Sequence, residues 1–251
     1  MAAAGAVRHG YFLFDPRRHD FGSKHLLGVD FPPGVGLSEI DQALHLLAVH
    51  PSTAKHIATK LAQRFLDDEP PAEVIAAMAY GFLASGGRIS TTLLPLLESP
   101  AFKASLTAPK KFKEPLDYVL SVARAACGDQ PIGNVQVLFN AAREMGQLPM
   151  RRTTPDGYGT QEDDWLSPIA MKKRLRFAIS VAQGRMRLAT AEAPEQVDST
   201  SKQMRQACMA DPKRVERMLG VSSVSTLRAL VGLPPVEQTA LLLTSHEFMR
   251  R

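Results

Sequence analysis

Carboxylates, aromatic rings and cations are concentrated in one stretch of the chain, residues 150–174. This stretch contains Asp156, the acidic run at 162–164, Tyr158 and the only tryptophan of the chain, Trp165. Paired carboxylates beside aromatic side chains are the chemistry of glycan hydrolysis, where one carboxyl group acts as an acid and the other as a base or nucleophile. The same residues also suit a glycine-rich loop whose aspartates cap its own turns and whose tryptophan anchors it to a core.

A second polar set lies near the N-terminus and consists of His19, Asp20 and Lys24. An imidazole nitrogen and a carboxylate oxygen are suitable ligands for zinc, manganese or iron, so a divalent metal at His19 and Asp20 is one interpretation. Hydrogen bonding of these side chains to the loop backbone is the other. Helical metal-dependent phosphohydrolases need further His and Asp ligands on surrounding helices, and this pair lies in a loop-like stretch. We therefore assign no metal-ligating residue and expect no cofactor.

A third set lies on one predicted helix. His56, Lys60 and Arg64 are spaced four residues apart, so they share one helix face and form a cationic stripe. His50 immediately precedes this helix. An anion would be drawn to the stripe, and the Arg64 guanidinium could hold a carboxylate or phosphate with two hydrogen bonds. The alternative is a solvated face, or ion pairs with the acidic residues at 67–69.

These three sets together predict one site. The predicted catalytic residues are His19, Asp20 and Asp156. The predicted substrate-binding residues are Lys24, His50, Lys60, Arg64, Tyr158, Trp165 and Arg174. The prediction requires the loop, the His-Asp segment and the cationic helix face to converge in one pocket.

The composition is that of an ordinary globular protein. The 251 residues are enough to bury a core without disulfides, and 45% of them are hydrophobic. The net charge of +5 is a weak argument for nucleic-acid binding, and the three lysines around Phe112 come without a recognition motif. We therefore expect no specific nucleic-acid partner.

The two cysteines, Cys127 and Cys208, match no metal-ligand spacing and lie in apolar helical patterns, so we expect both to be buried thiols. The N-terminal residues lack the charged and apolar regions of a secretory signal. No apolar stretch is long enough to span a membrane. The expected location is therefore the cytoplasm, unless an upstream segment carries a signal.

Helical periodicity dominates from residue 38 onward, so the predicted fold is an all-α orthogonal bundle of about ten helices. Residues 1–37 are rich in glycine, proline and aromatics, which predicts an irregular, β-like segment. Residues 38–188 would form the main helical domain. Residues 189–251 would form a subdomain of short helices that begins with a linker or lid. The loop at 150–166 is unusually long for a compact domain, which indicates an ordered, functional loop.

Several separate motifs occur in a fixed order along the chain. They are His19-Asp20-x-Gly22-x-Lys24, Leu27-Gly28, His50-Pro51-x-Thr53-Ala54, Lys60-Leu61, Lys113-x-Pro115-x-Asp117, Gly146-Gln147-x-Pro149, Pro155-Asp156-Gly157-Tyr158, Trp165-Leu166-Ser167 and Arg174. In this order the motifs resemble the bacterial DUF1800 family of proteins of unknown function. The resemblance extends from the N-terminal region to a terminal Leu-Leu-x-Ser-x-Glu-Phe.

The resemblance implies a largely helical fold and no settled activity. Family members generally carry an additional N-terminal helical half, often look exported, and are often encoded beside a sulfatase-like family. This chain resembles the C-terminal half, which makes a sulfatase-like protein a candidate partner and a truncated chain one interpretation.

The carboxylates, aromatics and cations favour a hydrolase that acts on a carbohydrate or another polar polymer. The alternative is a non-catalytic helical scaffold that binds a partner protein. A weaker alternative is a metal-dependent phosphohydrolase. Convergence of the predicted site residues in one pocket would favour catalysis, and their dispersal would favour the scaffold.

Overall fold

A computed structural model describes residues 7–186, 188, 208–220 and 223–251. Within these residues the chain forms twelve α-helices and two small β-hairpins, which confirms the mostly helical fold and its β-like start. The predicted linker at 189–201 lies outside the described residues. No helix of the described part combines the length and the apolar character needed to cross a membrane.

The backbone divides into two compact units. Unit 1 comprises Met1–Ala62 and Pro70–Ser99, and unit 2 comprises Gln63–Glu69 and Pro100–Arg251. The domain boundaries predicted from the sequence, after residues 37 and 188, stay predictions.

Unit 1 opens with two antiparallel hairpins. Strand β1 (Val7–His9) pairs with β2 (Phe12–Phe14), and β3 (Lys24–Leu26) pairs with β4 (Val29–Phe31). The second hairpin turns at Leu27 and Gly28, which both have positive φ, as a tight two-residue turn with matching twist requires.

The helices of unit 1 are α1 (Ser38–Ala48), α2 (Pro51–Phe65), α3 (Ala72–Ala84) and α4 (Ile89–Glu98). The last three residues of α2 belong to unit 2. Helix α2 begins at a proline, which is tolerated there because the first helical N–H has no intrahelical partner. Helices α3 and α4 approach closely at Gly81, where a Cβ would lie 3.2 Å from the Thr91 carbonyl oxygen. A side chain at Gly81 would therefore force the two helices apart.

Unit 2 contains the other eight helices. They are α5 (Pro100–Ser105), α6 (Pro115–Cys127), α7 (Val135–Glu144), α8 (Glu162–Trp165), α9 (Pro168–Ala182), α10 (Pro212–Leu219), α11 (Val224–Leu230) and α12 (Pro235–Leu243). Helix α6 forms the centre of the core, because it packs against α7, α9 and α10 and buries Tyr118, Val119 and Val122 completely. Helix α12 packs against both α9 and α10.

Side-chain caps define where several of these helices begin. The Ser167 hydroxyl accepts from the Ala170 N–H at the start of α9, and the Asp211 carboxylate accepts from the Arg214 N–H at the start of α10. Both caps stand directly before a proline in the first helical turn. A capping side chain directly before a proline is readable from the sequence, so the starts of α9 and α10 can be inferred from the sequence alone.

The two cysteines form a disulfide, Cys127–Cys208, between the end of α6 and the segment that leads into α10. Their predicted burial is confirmed, but their prediction as thiols is wrong. The partners are 81 residues apart, and sequence spacing carries no information about whether residues that distant meet in the folded chain.

Because the disulfide closes a long loop, it restricts the unfolded chain strongly. We expect reduction with a phosphine to lower the free energy of unfolding by about 2–5 kcal/mol in chemical denaturation. A variant with both Cys127→Ala and Cys208→Ala should show no response to the reductant. Two thiols titrating in the denatured, unreduced protein would contradict the pairing.

Candidate functional site

The predicted site residues fall in both units. His19, Asp20, Lys24, His50 and Lys60 lie in unit 1. Arg64, Asp156, Tyr158, Trp165 and Arg174 lie in unit 2.

In unit 1, His19 and Lys24 meet at Glu39, a buried carboxylate in the first turn of α1. The His19 Nε2 atom lies 3.0 Å from one carboxylate oxygen, and the Lys24 Nζ atom lies 2.9 Å from the other. The partial positive charge at the helix N-terminus also favours a carboxylate at this position. Lys24 thus neutralises a buried acid of its own unit, and the His19 ring lies within hydrogen-bond distance of the same acid.

Asp20 organises the loop that carries these residues. Its Oδ1 atom accepts a hydrogen bond of 2.8 Å from the Gly22 N–H, and the Asp20 carbonyl accepts one of 2.5 Å from Lys24 Nζ. An aspartate that binds the backbone N–H two residues on is a common turn-forming device. These contacts favour the interpretation in which Asp20 forms hydrogen bonds within the loop backbone.

No group of three or more His, Cys, Asp or Glu side chains within the described ranges is arranged to hold a metal ion. Outside the hairpin region of unit 1, His50 Nδ1 accepts from the Ser52 N–H at 3.1 Å, and Lys60 is exposed on α2. His50 thereby satisfies a backbone donor at the start of α2.

In unit 2, Arg64 is occupied by carboxylates of the protein itself. It donates to Glu114 at 2.6 Å and to both oxygens of Asp117 at 3.2 Å. Arg251 also binds Asp117, and Gln147 donates to Glu114 at 2.7 Å. The predicted bidentate recognition of an anion is present, but the anion is an internal side chain.

The long loop is ordered by its own aromatic side chains. The Tyr158 hydroxyl donates to the Leu148 carbonyl at 3.0 Å and accepts from the Leu148 N–H at 3.1 Å. The Trp165 Nε1–H donates to the Gly159 carbonyl at 2.9 Å. A Cβ at Gly159 would overlap the Asp164 carboxylate, so that side chain would have to shift. These contacts confirm that the loop is ordered. Both aromatic side chains anchor it through hydrogen bonds to its backbone.

Asp156 stands at an exposed turn of the same loop. A hydrogen bond from the Thr154 side chain lowers the pKa of Asp156, although slight burial opposes this effect. A lowered pKa favours the ionised carboxylate, which can act as a base or nucleophile but not as a proton donor.

Arg174 is fully buried in the core of unit 2. Its guanidinium lies 4.6 Å from the Phe112 ring centre and 4.8 Å from that of Tyr118, and it donates to the Lys113 carbonyl at 2.7 Å. Burial lowers the pKa of Arg174 to about 10, which still leaves the group charged at neutral pH. The arginine contacts only protein groups and has no surface open to a substrate.

Unit 2 also contains a polar cleft that the sequence does not reveal as a site. Its volume is about 720 Å³, and one wall is the end of the long loop. The lining residues are Asp67, Asp68, Glu69, Pro109, Lys110, Gln161, Glu162, Asp163, His246 and Arg250. The only signals of this cleft in the sequence are the acidic run at 162–164 and the acidic residues at 67–69, and their spacing does not indicate that they meet.

Three of the five cleft carboxylates are already paired. Glu162 binds Arg250 at 2.7 and 2.9 Å, and Asp67 lies 3.3 Å from Lys110. Asp68 binds Lys111, which is almost fully buried, and accepts from the Glu162 N–H at 2.7 Å.

The other two cleft acids are Glu69 and Asp163. Neither makes a hydrogen bond or an ion pair with any residue that the structure describes. Both side chains are exposed. They are therefore the cleft acids whose oxygens remain available to a ligand.

These features define a mostly helical protein whose long ordered loop borders an acidic cleft. The chain belongs to the DUF1800 family of proteins of unknown function, whose family model matches residues 2–250. This match confirms the resemblance inferred from the sequence motifs. Comparison with curated proteins and with solved structures found no match.

The position of Arg174 generates a test of its role. We expect Arg174→Ala to lower the free energy of unfolding by about 2–5 kcal/mol, because it removes a large buried side chain and two cation–π contacts. Arg176→Ala, at an exposed position of the same helix, should change it by less than about 0.5 kcal/mol. Unchanged stability of the Arg174 variant, measured by urea denaturation, would restore a ligand-binding role for this residue.

Proposed function

We propose that this chain is a hydrolase that binds a carbohydrate or another polar polymer in the acidic cleft of unit 2. The observation that carries the proposal is the pair of unpaired carboxylates, Glu69 and Asp163, in a cleft that also presents Gln161 and His246. Polyhydroxylated ligands need both hydrogen-bond donors and acceptors, and this lining supplies both kinds.

In glycoside hydrolysis, one carboxyl group protonates the leaving oxygen as the C–O bond breaks. The second either removes a proton from the attacking water or attacks the sugar carbon itself. Glu69 and Asp163 are the candidates for these two roles, since the other cleft acids are held by Lys110, Lys111 and Arg250. This assignment is preferred to one on Asp156, because Asp156 does not line the cleft.

The disulfide supports a proposal about location. Disulfides persist in oxidising compartments such as the periplasm or the extracellular space, and they are rare in the cytosol. We infer that the chain functions in an oxidising compartment, where polymeric carbohydrates are also accessible. An oxidising compartment is thus our proposal in place of the expected cytoplasmic location.

The test is a hydrolysis screen against soluble polysaccharides and nitrophenyl glycosides, with Glu69→Gln and Asp163→Asn beside the wild-type chain. We expect each variant to lose about 10²–10⁴-fold in turnover, because each removes a proton-transfer or nucleophilic group. Asp129→Asn, an exposed acid of unit 2 outside the cleft, and Asp156→Asn should keep full activity. Absence of hydrolysis of every glycan, or full activity of both cleft variants, would reject the proposal.

The scaffold function has one specific observation in its favour. The first hairpin presents Tyr11, Phe12 and Leu13 in succession, and Tyr11 is completely exposed. Contiguous exposed apolar side chains often mark a protein-binding surface.

The sulfatase-like protein is the partner to test in this case. We expect the double variant Tyr11→Ser, Leu13→Ser to weaken that complex in calorimetry, whereas Leu106→Ser, an exposed leucine of unit 2, should not. Equal binding by the hairpin variant would exclude this surface.

A further inference from the structure

A second cavity of unit 2 has a different character from the acidic cleft. Its volume is about 650 Å³, within the range of small-molecule sites. Six large apolar side chains line it: Phe65, Phe102, Leu106, Met218, Leu219 and Phe248. Five cationic or imidazole side chains line it as well: Lys110, Lys113, His246, Arg250 and Arg251. An apolar wall beside basic groups is complementary to a molecule with a hydrophobic tail and an anionic head.

Most of the cations in this cavity are already neutralised. Arg250 pairs with Glu162, Arg251 pairs with Asp117, and Lys110 lies 3.3 Å from the Asp67 carboxylate. Because each of these three cations has a carboxylate partner, they offer little net positive charge to a ligand.

Lys113 is the exception. Its Nζ donates to the Phe248 carbonyl at 2.7 Å and lies 4.3 Å from the centre of the Phe248 ring. It forms no ion pair with the part of the chain that the structure describes. An ammonium group has three donors, so two of them remain for a ligand.

The one acid among the described lining residues does not serve Lys113. Glu247 accepts a hydrogen bond of 2.8 Å from the Ser223 N–H, and the Thr226 hydroxyl, as a shared donor, lies 3.2 Å from both of its carboxylate oxygens. Burial alone would raise the pKa of Glu247, but the hydrogen bonds from Ser223 and Thr226 outweigh it and hold the pKa at about 2. Glu247 is therefore a fixed anion directed at the start of α11.

We propose that this cavity binds an amphipathic carboxylate, such as a medium-chain fatty acid, with the carboxylate on Lys113 and the tail against the apolar wall. The proposal goes beyond the hydrolase function, because its ligand, its recognition group and most of its lining differ from those of the acidic cleft. The two sites share only Pro109, Lys110, His246 and Arg250.

The protonation of Lys113 gives the proposed binding a characteristic pH dependence. Burial lowers the pKa of Lys113 to about 8, Asp117 opposes this shift, and Arg251 and Arg174 add to it. The amine is therefore protonated below about pH 8 and neutral above it. Carboxylate binding should be strong at pH 7 and should weaken as the pH rises towards 9.5.

The experiment is calorimetric titration of the full chain with decanoate at pH 7. Decanol and decyltrimethylammonium serve as probes of the same tail without the anionic head. We expect Lys113→Gln to weaken decanoate binding at least about tenfold, since a charge-assisted hydrogen bond is lost. Lys172→Gln, an exposed lysine of α9 outside both cavities, should bind as the wild-type chain does.

Two further variants keep the test independent of folding. Met218→Glu places a negative charge at a half-exposed cavity position and should weaken decanoate binding while leaving the thermal unfolding midpoint nearly unchanged. Lys113→Arg should retain decanoate binding at pH 9.5, because a guanidinium stays charged there. This retention separates Lys113 from the other titratable and charged groups nearby, which are Lys110, His246, Glu247, Arg250, Arg251, Asp117 and Arg174.

Three results would overturn the proposal. They are absence of decanoate binding at millimolar concentration, equal binding of decanol, and unchanged binding by Lys113→Gln. Glu69→Gln and Asp163→Asn should leave decanoate binding intact, so failure of this site and failure of the hydrolase proposal are distinguishable.

Discussion

The fold of unit 2 depends on the burial of one cation, the Arg174 guanidinium. A charge removed from water is tolerated only when surrounding groups replace its solvation, and here two aromatic faces and a backbone carbonyl do so. These groups belong to α6 and to the segment just before it, while the Met249 sulfur, 3.3 Å from Nη1, belongs to the C-terminal end. Arg174 therefore fixes the positions of three separate parts of the chain relative to α9, and the Tyr118 hydroxyl returns a hydrogen bond of 3.2 Å to its carbonyl.

The same requirement governs the other charges of unit 2. Lys111 is almost completely buried and is compensated by Asp68 and the Thr160 carbonyl, and Arg64 and Arg251 share the carboxylate of Asp117. Because so many charged groups are paired internally, the unpaired ones stand out. Among the described residues that line the two cavities, Glu69 and Asp163 in one and Lys113 in the other are charged groups with no ion-pair partner and with hydrogen-bonding capacity left for a ligand. The polar cleft is acidic because its unpaired groups are carboxylates, and the apolar cavity is basic because its unpaired group is an amine.

Because the family has no known function, the proposed functions rest on these local arrangements of charged groups. The residues that first suggested catalysis have internal partners: His19 and Lys24 bind Glu39, and Asp20 holds its own turn. Tyr158 and Trp165 anchor the loop, and the loop in turn forms a wall of the cleft through Gln161, Glu162 and Asp163. The long loop thus contributes to a candidate site through its acidic end, and its aromatic residues supply the rigidity that positions that end.

The sequence by itself determined the helical class, the β-like start, and the beginnings of α9 and α10, because periodicity, caps and prolines act over a few neighbouring residues. It also determined the family, through motifs in a fixed order. It did not reveal α5, α8 and α11, which are too short to show a periodic pattern. Tertiary structure alone decided that Cys127 meets Cys208, that Glu162 pairs with Arg250 and that Arg174 is buried. Partners 75 to 88 residues apart are brought together by packing of the whole unit, and a local pattern contains no information about which distant charges will share a low-dielectric interior.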